Sequence, residues 1–202
     1  MRQLPNLLTG LRLVLALFTF FALAGVAGLS DTLSPETQFG WERLALAAFV
    51  LAAITDFFDG WLARKLDATS LWGAILDPIA DKILVCSAVL GLMALHAAGV
   101  LIPGALILFR EFAVSALREV AAGKGVRLPV TLLAKWKTTL QLVSLGVAMF
   151  VACGGAFGLA SEPTIEGPAT VASIVLLWLA TLVTLITGLQ YGLQARKALA
   201  KA

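Results

Sequence analysis

The stretch DFFDGWLARKLDATSLWGAILDPIAD, residues 56–81, determines how the rest of the chain is interpreted. It places four aspartates, Asp56, Asp59, Asp77 and Asp81, beside apolar runs that otherwise suit lipid. Residues three or four apart lie on one face of an α-helix, so each pair is predicted to project its two carboxylates side by side. Two such faces turned toward each other would form a cage of oxygen ligands.

Oxygen ligands at this density suit hard divalent cations, so the sequence predicts Mg²⁺ or Mn²⁺ and a diphosphate held by them. The second pair has an alternative interpretation. Asp77 and Pro78 are typical of a helix start, with aspartate as the N-cap and proline at the first helical position, which would make Asp77 structural. Residues 70–76 already continue the same helical face, which favours a proline inside the helix, where it bends the segment.

The composition is that of a membrane protein. The chain has 202 residues, of which 60% are hydrophobic and 13% charged, and its mean hydropathy is +0.95. Uncharged runs at 13–30, 83–109, 138–161 and 167–195 approach or exceed the roughly 20 residues that a helix needs to cross a bilayer. Period-2 alternation is absent, so these segments are predicted to be helices. We predict an all-α membrane protein of six transmembrane helices, forming a single domain over residues 1–202.

The charge distribution predicts the orientation of this bundle in the membrane. The six predicted spans are about 7–29, 42–65, 70–97, 100–121, 134–158 and 168–195. If both termini lie in the cytosol, the inner side holds every lysine and arginine of the chain except Arg43. This bias is what the positive-inside rule requires, so both termini and the acidic cluster are predicted to be cytosolic.

Basic residues on the fourth and fifth spans are candidates for binding an anion. Arg110 and Arg118 are eight residues apart, and each is followed by a glutamate. One interpretation is two local ion pairs that make the helix tolerable in the membrane; the other is that the arginines bind an anionic substrate. Lys135 and Lys137 begin the fifth span at a similar depth. His96 is the only histidine, which argues against a histidine nucleophile.

The acidic stretch resembles the signature of the CDP-alcohol phosphotransferase family. It fits D-x2-D-G-x2-A-R-x8-G-x3-D-x3-D at every fixed position, which here are Asp56, Asp59, Gly60, Ala63, Arg64, Gly73, Asp77 and Asp81. Further segments resemble the bacterial phosphatidylglycerophosphate synthases of that family: PNLLTGLR at 5–12, REF at 110–112, SALRE at 115–119, KWKTTLQ at 135–141 and LQY at 189–191. One departure from that branch is Ala134, where a glycine would be expected.

The resemblance implies a homodimer in the bacterial cytoplasmic (inner) membrane with its active site at the cytosolic face. It implies transfer of the phosphatidyl group of CDP-diacylglycerol to glycerol 3-phosphate, with release of CMP. It further implies two divalent cations, Mg²⁺ with Mn²⁺ as an alternative, one bound by Asp56, Asp59 and Asp77 and the other by Asp56, Asp77 and Asp81. Asp81 would also be the general base.

The remaining site residues divide between the two substrates. Matching positions suggest that the CDP head is bound by Asn6, Thr9, Gly60, Arg64, Ser70 and Gly73. Because glycerol 3-phosphate carries its own phosphate, we assign the acceptor-phosphate site to Arg110, Arg118, Lys135 and Lys137.

Two other functions are compatible with parts of this sequence. Within the family, serine, inositol phosphate or phosphatidylglycerol could replace glycerol 3-phosphate, with the same metal site. From a different class, intramembrane acids and arginines could belong to an ion-coupled transporter. A transporter predicts polar residues spread across the membrane's depth or an inverted repeat, whereas here the polar residues cluster at one face and no repeat is evident.

Overall fold

The computed structural model describes the backbone of residues 4–66, 71–126, 132–159 and 163–200, and the side chains of 7–56, 75–126, 136–159 and 164–200. Within these ranges every regular element is helical, which confirms the all-α prediction and the number of long helices. The elements are α1 (Leu4–Leu29), α2 (Pro35–Leu66), α3 (Leu71–Ala94), α4 (Leu101–Gly123), α5 (Leu132–Ala152), a 3₁₀ helix (Gly154–Phe157) and α6 (Pro163–Leu199).

The helices form two groups of three. α1 packs along both α2 and α3, and α6 packs along both α4 and α5. The groups meet where α3 contacts α4 and α5, and where α2 contacts α5 and the 3₁₀ helix. At the α1–α3 contact, Leu23 packs against Gly91, where a Cβ atom would stand 2.7 Å from the Leu23 Cδ1. Each group therefore has a central helix, α1 in one and α6 in the other, that packs against both of its neighbours.

Large apolar side chains are exposed along the outside of the bundle, as expected of helices surrounded by lipid. Phe21, Phe109 and Leu189 are each about two-thirds exposed. Among the described helices, the segments Leu7–Leu29 and Thr164–Leu199 are long and apolar enough to span a bilayer. The structure thus agrees with a helical membrane bundle, while the side of the membrane on which the termini lie remains a prediction.

Several helices begin or end away from the limits of the predicted membrane spans, and the largest differences are at the start of α2 and the end of α5. α2 begins at Pro35 rather than near residue 42, because Ser34 caps it: the Thr37 N–H donates to the Ser34 Oγ at 3.4 Å. α5 ends at Ala152 rather than near residue 158, because the chain tightens there into the glycine-rich 3₁₀ helix. Pro78 lies inside α3, so Asp77 is not an N-cap and the interior interpretation is confirmed.

α3 and α4 end in the same hydrogen-bonded motif, in which the second residue past the last helical turn has a positive φ. At α3 this residue is His96 (φ 53°), whose N–H bonds the Met93 carbonyl at 3.0 Å, while the Ala97 N–H bonds that of Leu92 at 3.0 Å. At α4 the equivalent residue is Gly125 (φ 71°). Glycine is the usual residue in this Schellman motif because it lacks the Cβ that clashes at positive φ.

We therefore expect His96→Gly to stabilise the protein by about 0.5–1 kcal/mol, the relief of strain being partly offset by the greater freedom of glycine in the unfolded chain. The measurement is thermal unfolding in detergent, with an expected rise of roughly 2–3 °C. The matched control is Gly125→His, which should lower the midpoint by a similar amount. A lower midpoint for His96→Gly would mean that the imidazole makes a stabilising contact of its own.

Candidate active site

Two polar residues of α1 face the bundle interior, side by side. Thr9 is 2% exposed and Arg12 is 1% exposed, and they lie three residues apart on one helical face. A charged side chain buried to this degree requires ionic or hydrogen-bonding partners on neighbouring helices. The sequence left the role of Arg12 open, because a polar residue near the start of a membrane span is equally typical of an interfacial anchor.

These two residues contact three of the four predicted aspartates. The Thr9 hydroxyl donates to Asp77 Oδ1 at 2.6 Å. The Arg12 Nη1 donates to Asp81 Oδ1 at 2.8 Å and lies 2.9 Å from Asp56 Oδ1. The structure thus brings Asp56 from α2 together with Asp77 and Asp81 from α3, and α1 is the element that joins them.

The two carboxylates that share Arg12 remain accessible although the guanidinium is buried. Their side chains are 32% exposed for Asp56 and 43% for Asp81. Two carboxylates held this close repel each other, and the positive charge of Arg12 offsets that repulsion. Because Arg12 is buried while both carboxylates are partly exposed, a ligand can reach the carboxylates from their exposed side.

The donor chemistry of this cluster fits a divalent cation. Carboxylate oxygens are the ligands that Mg²⁺ and Mn²⁺ prefer, and a carboxylate has two oxygens, so contact with α1 is compatible with metal ligation. Among the described side chains, no group of three or more acidic, histidine or cysteine residues is close enough together to form a metal site. Several predicted residues lie outside the described side chains, namely Asn6, Asp59, Gly60, Arg64, Ser70, Gly73 and Lys135. The metal and CDP assignments therefore stay predictions.

A second polar cluster occupies the α4–α6 group, with Arg110 at its centre. Arg110 is 8% exposed; its Nε donates to the Thr184 carbonyl at 3.0 Å and its Nη2 to the Thr187 hydroxyl at 2.9 Å. Its Nη1 lies 3.2 Å from Glu111 Oε1, so the predicted local ion pair is present here. Gly188 makes room for this side chain, since a Cβ there would stand 2.8 Å from the Arg110 Cγ. Arg110 thus joins α4 to α6.

Glu111 also receives a hydrogen bond from Lys137, which joins α4 to α5. The Lys137 ammonium donates to Glu111 Oε1, and the side chains are only 6% and 15% exposed, respectively. Arg110 and Lys137 thus both contact Glu111, and two cations beside one carboxylate leave a net positive charge that suits an anionic ligand.

Arg118 differs from Arg110 in being exposed, and it is oriented by Tyr191. Its guanidinium lies 4.7 Å from the centre of the Tyr191 ring, and its Nη2 donates to the tyrosine hydroxyl at 2.8 Å. Tyr191 is 2% exposed, so the ring is a fixed support. Tyr191 was not predicted as a site residue, and its only signal in the sequence is the LQY segment at 189–191.

The chain matches one family model, and several known proteins similar to it share one enzyme name. The family model described as CDP-alcohol phosphatidyltransferase matches residues 2–187. A Cereibacter sphaeroides protein is 43% identical over 155 residues, covering 75% of this chain and 65% of its own length. Proteins from Rickettsia bellii (41% identical; 73% of this chain, 76% of its own) and Haemophilus influenzae (37%; 71% and 72%) are similar too. All three are named CDP-diacylglycerol–glycerol-3-phosphate 3-phosphatidyltransferase.

Proposed function

Because the chain belongs to the CDP-alcohol phosphatidyltransferase family, we propose that it transfers the phosphatidyl group of CDP-diacylglycerol to glycerol 3-phosphate. The products are phosphatidylglycerol phosphate and CMP. The observation that carries the proposal is the gathering of Asp56, Asp77 and Asp81 around Thr9 and Arg12. The names of relatives that are 37–43% identical support the choice of acceptor.

In the proposed reaction, the acceptor hydroxyl oxygen attacks the phosphorus that carries the diacylglycerol. A new P–O ester bond forms, the bond from that phosphorus to the bridging oxygen breaks, and its electron pair leaves with CMP. The hydroxyl proton passes to the Asp81 carboxylate, which acts as the general base. Arg12 contacts Asp81 and so sets the direction in which this carboxylate presents itself. We propose a single displacement, which predicts inversion at a chirally labelled phosphorus.

Use of a divalent metal is general in this family. We assign two ions, Mg²⁺ or Mn²⁺, to Asp56, Asp59, Asp77 and Asp81, whose described members offer oxygen ligands from two facing helices. A bound divalent cation would supply charge neutralisation for the diphosphate and for the departing oxygen. Thr9, predicted to bind the CDP head, also donates to Asp77 and so orients one of these carboxylates. Asn6, Gly60, Arg64, Ser70 and Gly73 complete the proposed CDP site.

The acceptor phosphate is assigned to the cationic cluster of the α4–α6 group. Arg118 is the member whose exposed guanidinium is best placed to bind a phosphate directly, since Tyr191 already fixes its orientation. Arg110 and Lys137 are engaged with Glu111 and with α6, so they contribute positive charge and hold the cluster together. We also assign Lys135 to the phosphate site, because the sequence places it two residues before Lys137 at the start of the fifth predicted span.

The oligomeric state of the protein and its orientation in the membrane complete the proposal. We propose that the protein is a homodimer in the bacterial cytoplasmic membrane, with the active site on the cytosolic side. The lysine and arginine distribution supports this orientation, because the proposed soluble substrate and the leaving group are then on the side where the positive charge lies.

The experiment that tests the proposed function is CMP release by the purified protein in detergent, with CDP-diacylglycerol and Mg²⁺. Glycerol 3-phosphate, serine, inositol phosphate and phosphatidylglycerol are offered separately. Release with glycerol 3-phosphate alone is the expected result. Release with a different acceptor would retain the reaction type and reject the substrate, and no release with any of the four would reject the proposal.

Replacing Arg118 with alanine is expected to raise the KM for glycerol 3-phosphate about 10- to 100-fold, because a charged hydrogen bond to the acceptor phosphate is worth about 1.5–3 kcal/mol. The KM for CDP-diacylglycerol should stay within about twofold, since Arg118 lies in the other helix group. Tyr191→Phe is the matched variant: it keeps the ring but removes the hydroxyl that orients Arg118, and a smaller rise is expected. An unchanged glycerol 3-phosphate KM in Arg118→Ala would remove Arg118 from the acceptor site.

A further inference from the structure

One face of α3 meets α4, and Lys82 lies on that face. Val89 and Met93 follow Lys82 by seven and eleven residues, so each projects within about 20° of it around the helix. Both pack against Gly104 of α4, where a Cβ would stand 2.8 Å from the Val89 Cγ1 and 3.1 Å from the Met93 Cε. Asp81, one residue earlier, contacts α1 instead. Lys82 therefore projects toward the α4–α6 group.

Lys82 is also level with Glu111, the carboxylate at the centre of the cationic cluster. The short segment 95–100 joins α3 to α4, so the two helices run antiparallel. Lys82 precedes Val89 by seven residues and Glu111 follows Gly104 by seven, which places both about 10 Å from the contact at Gly104. Glu111 projects within about 20° of Gly104 around α4, so Lys82 and Glu111 lie on facing sides of the two helices.

The Lys82 ammonium has no ion pair or hydrogen bond within the part of the chain whose side chains are described. Glu111, which has the opposite charge, contacts Arg110 and Lys137 but not Lys82, so the helices stand farther apart here than at Gly104. Lys82 is half-buried, and an ammonium inside a membrane protein is costly when no counter-charge accompanies it. This position therefore suits an anion that binds between the two helix groups.

We propose that Lys82 binds the phosphate of glycerol 3-phosphate from α3, together with Arg118 from α4. The inference rests on the proposed function, which places the acceptor hydroxyl at Asp81. Three carbons join that hydroxyl to the phosphate, so the phosphate lies close to the base, and the lysine beside Asp81 faces the helix group to which the phosphate is assigned. The diphosphate of the other substrate is assigned to carboxylates that contact α1. Lys82 is thus a determinant of specificity for a phosphorylated acceptor.

The first test is kinetic. Lys82→Met removes the charge but keeps an unbranched side chain, and it is expected to raise the KM for glycerol 3-phosphate about tenfold or more through loss of a charged hydrogen bond. Both kcat at saturating acceptor and the KM for CDP-diacylglycerol should change less than about threefold, because the lost contact holds the acceptor before and during the reaction. Lys82→Arg should restore the glycerol 3-phosphate KM to within about threefold of wild type, because arginine also binds phosphate.

The matched control is Lys124→Met, which removes a positive charge from the exposed residue that follows α4. It should leave both KM values unchanged. If Lys82 only extends to water at the membrane surface, Lys82→Met will behave like Lys124→Met, and the proposal is overturned. A larger rise in the KM for CDP-diacylglycerol than in that for glycerol 3-phosphate would also overturn it, since Lys82 would then bind the diphosphate.

The second test detects binding at Lys82 in the wild-type protein without turnover. The protein is treated briefly with a water-soluble acetylating ester in the presence of Mg²⁺, and the acetylated fraction of each lysine is measured by peptide mass spectrometry. Glycerol 3-phosphate at about 10 mM, above the usual range of KM values, is expected to slow acetylation of Lys82 about threefold or more and to leave Lys124 unchanged. Glycerol, which lacks the phosphate, should protect neither. Equal protection by glycerol, or no protection by glycerol 3-phosphate, would contradict the assignment.

These tests separate failure of the Lys82 assignment from failure of the proposed function. If wild-type protein releases CMP with glycerol 3-phosphate, but Lys82→Met leaves its KM unchanged and Lys82 is not protected, only the assignment of Lys82 fails. If no acceptor gives CMP release but glycerol 3-phosphate protects Lys82, this lysine stands as a phosphate ligand and the proposed reaction fails. If there is neither release nor protection, both fail.

Discussion

Replacing Asp81 with asparagine is expected to lower CMP release from CDP-diacylglycerol and glycerol 3-phosphate by at least about 10³-fold. General-base catalysis alone contributes about 10²–10⁴-fold, and the amide is in addition a poorer metal ligand than the carboxylate. Asparagine keeps the size of the side chain and an oxygen that can accept from Arg12. The measurement is kcat at saturating concentrations of both substrates.

Two controls separate the chemical role of Asp81 from a structural one. Asp31→Asn removes a carboxylate from the exposed connection between α1 and α2 and should leave kcat unchanged. Thermal unfolding of Asp81→Asn should show a midpoint close to that of wild type, because losing one of two neighbouring negative charges removes repulsion as well as an ion pair. If kcat falls less than tenfold in a folded Asp81→Asn protein, Asp81 is not the base.

The positions of the acidic residues could be predicted because helical spacing is a local property of the sequence. Asp77 and Asp81 are four residues apart on α3, and the structure places both of them, with Asp56 of α2, in contact with α1. Their role as metal ligands stays a prediction. α2 begins at Pro35, seven residues before the predicted membrane span. The sequence carries a signal for this earlier start, because a serine followed by a proline is typical of the beginning of a helix.

The partners of this cluster were not predictable from the sequence. Arg12 and Asp81 are 69 residues apart. The helical spacing of Asn6, Thr9 and Arg12 indicates a polar face on α1, but it does not indicate which acidic residues that face contacts. The sequence likewise did not indicate that Arg110 would be buried and Arg118 exposed. Residues eight apart are about 80° apart around a helix, enough for Arg110 to enter the α4–α6 contact while Arg118 stays exposed. Which of them is buried depends on Gly188, a residue of another helix.

Arg12→Ala is expected to lower kcat about 100-fold or more, although Arg12 touches no substrate in the proposed reaction. Removing the guanidinium leaves Asp56 and Asp81 adjacent and without their shared cation, so their carboxylates should turn apart. Loss of a residue that orients metal ligands typically costs 10- to 100-fold in metal affinity or activity, and here one residue orients two of them. Arg12→Lys should recover only part of the loss, because an ammonium is a single point charge on a shorter side chain.

Stability measurements distinguish this positioning role from general damage to the fold. Without divalent cation, Arg12→Ala should lower the free energy of unfolding by about 1–2 kcal/mol, less than for a fully buried ion pair because the side chains of Asp56 and Asp81 are 32% and 43% exposed. In an Asp56→Asn background the same substitution should cost distinctly less, since only one carboxylate then loses its partner. Added Mg²⁺ should raise the unfolding midpoint less in Arg12→Ala than in wild type, because carboxylates that have turned apart bind the metal more weakly. Equal losses in both backgrounds, together with an unchanged response to Mg²⁺, would show that Arg12 acts on the packing of α1 rather than on the two carboxylates.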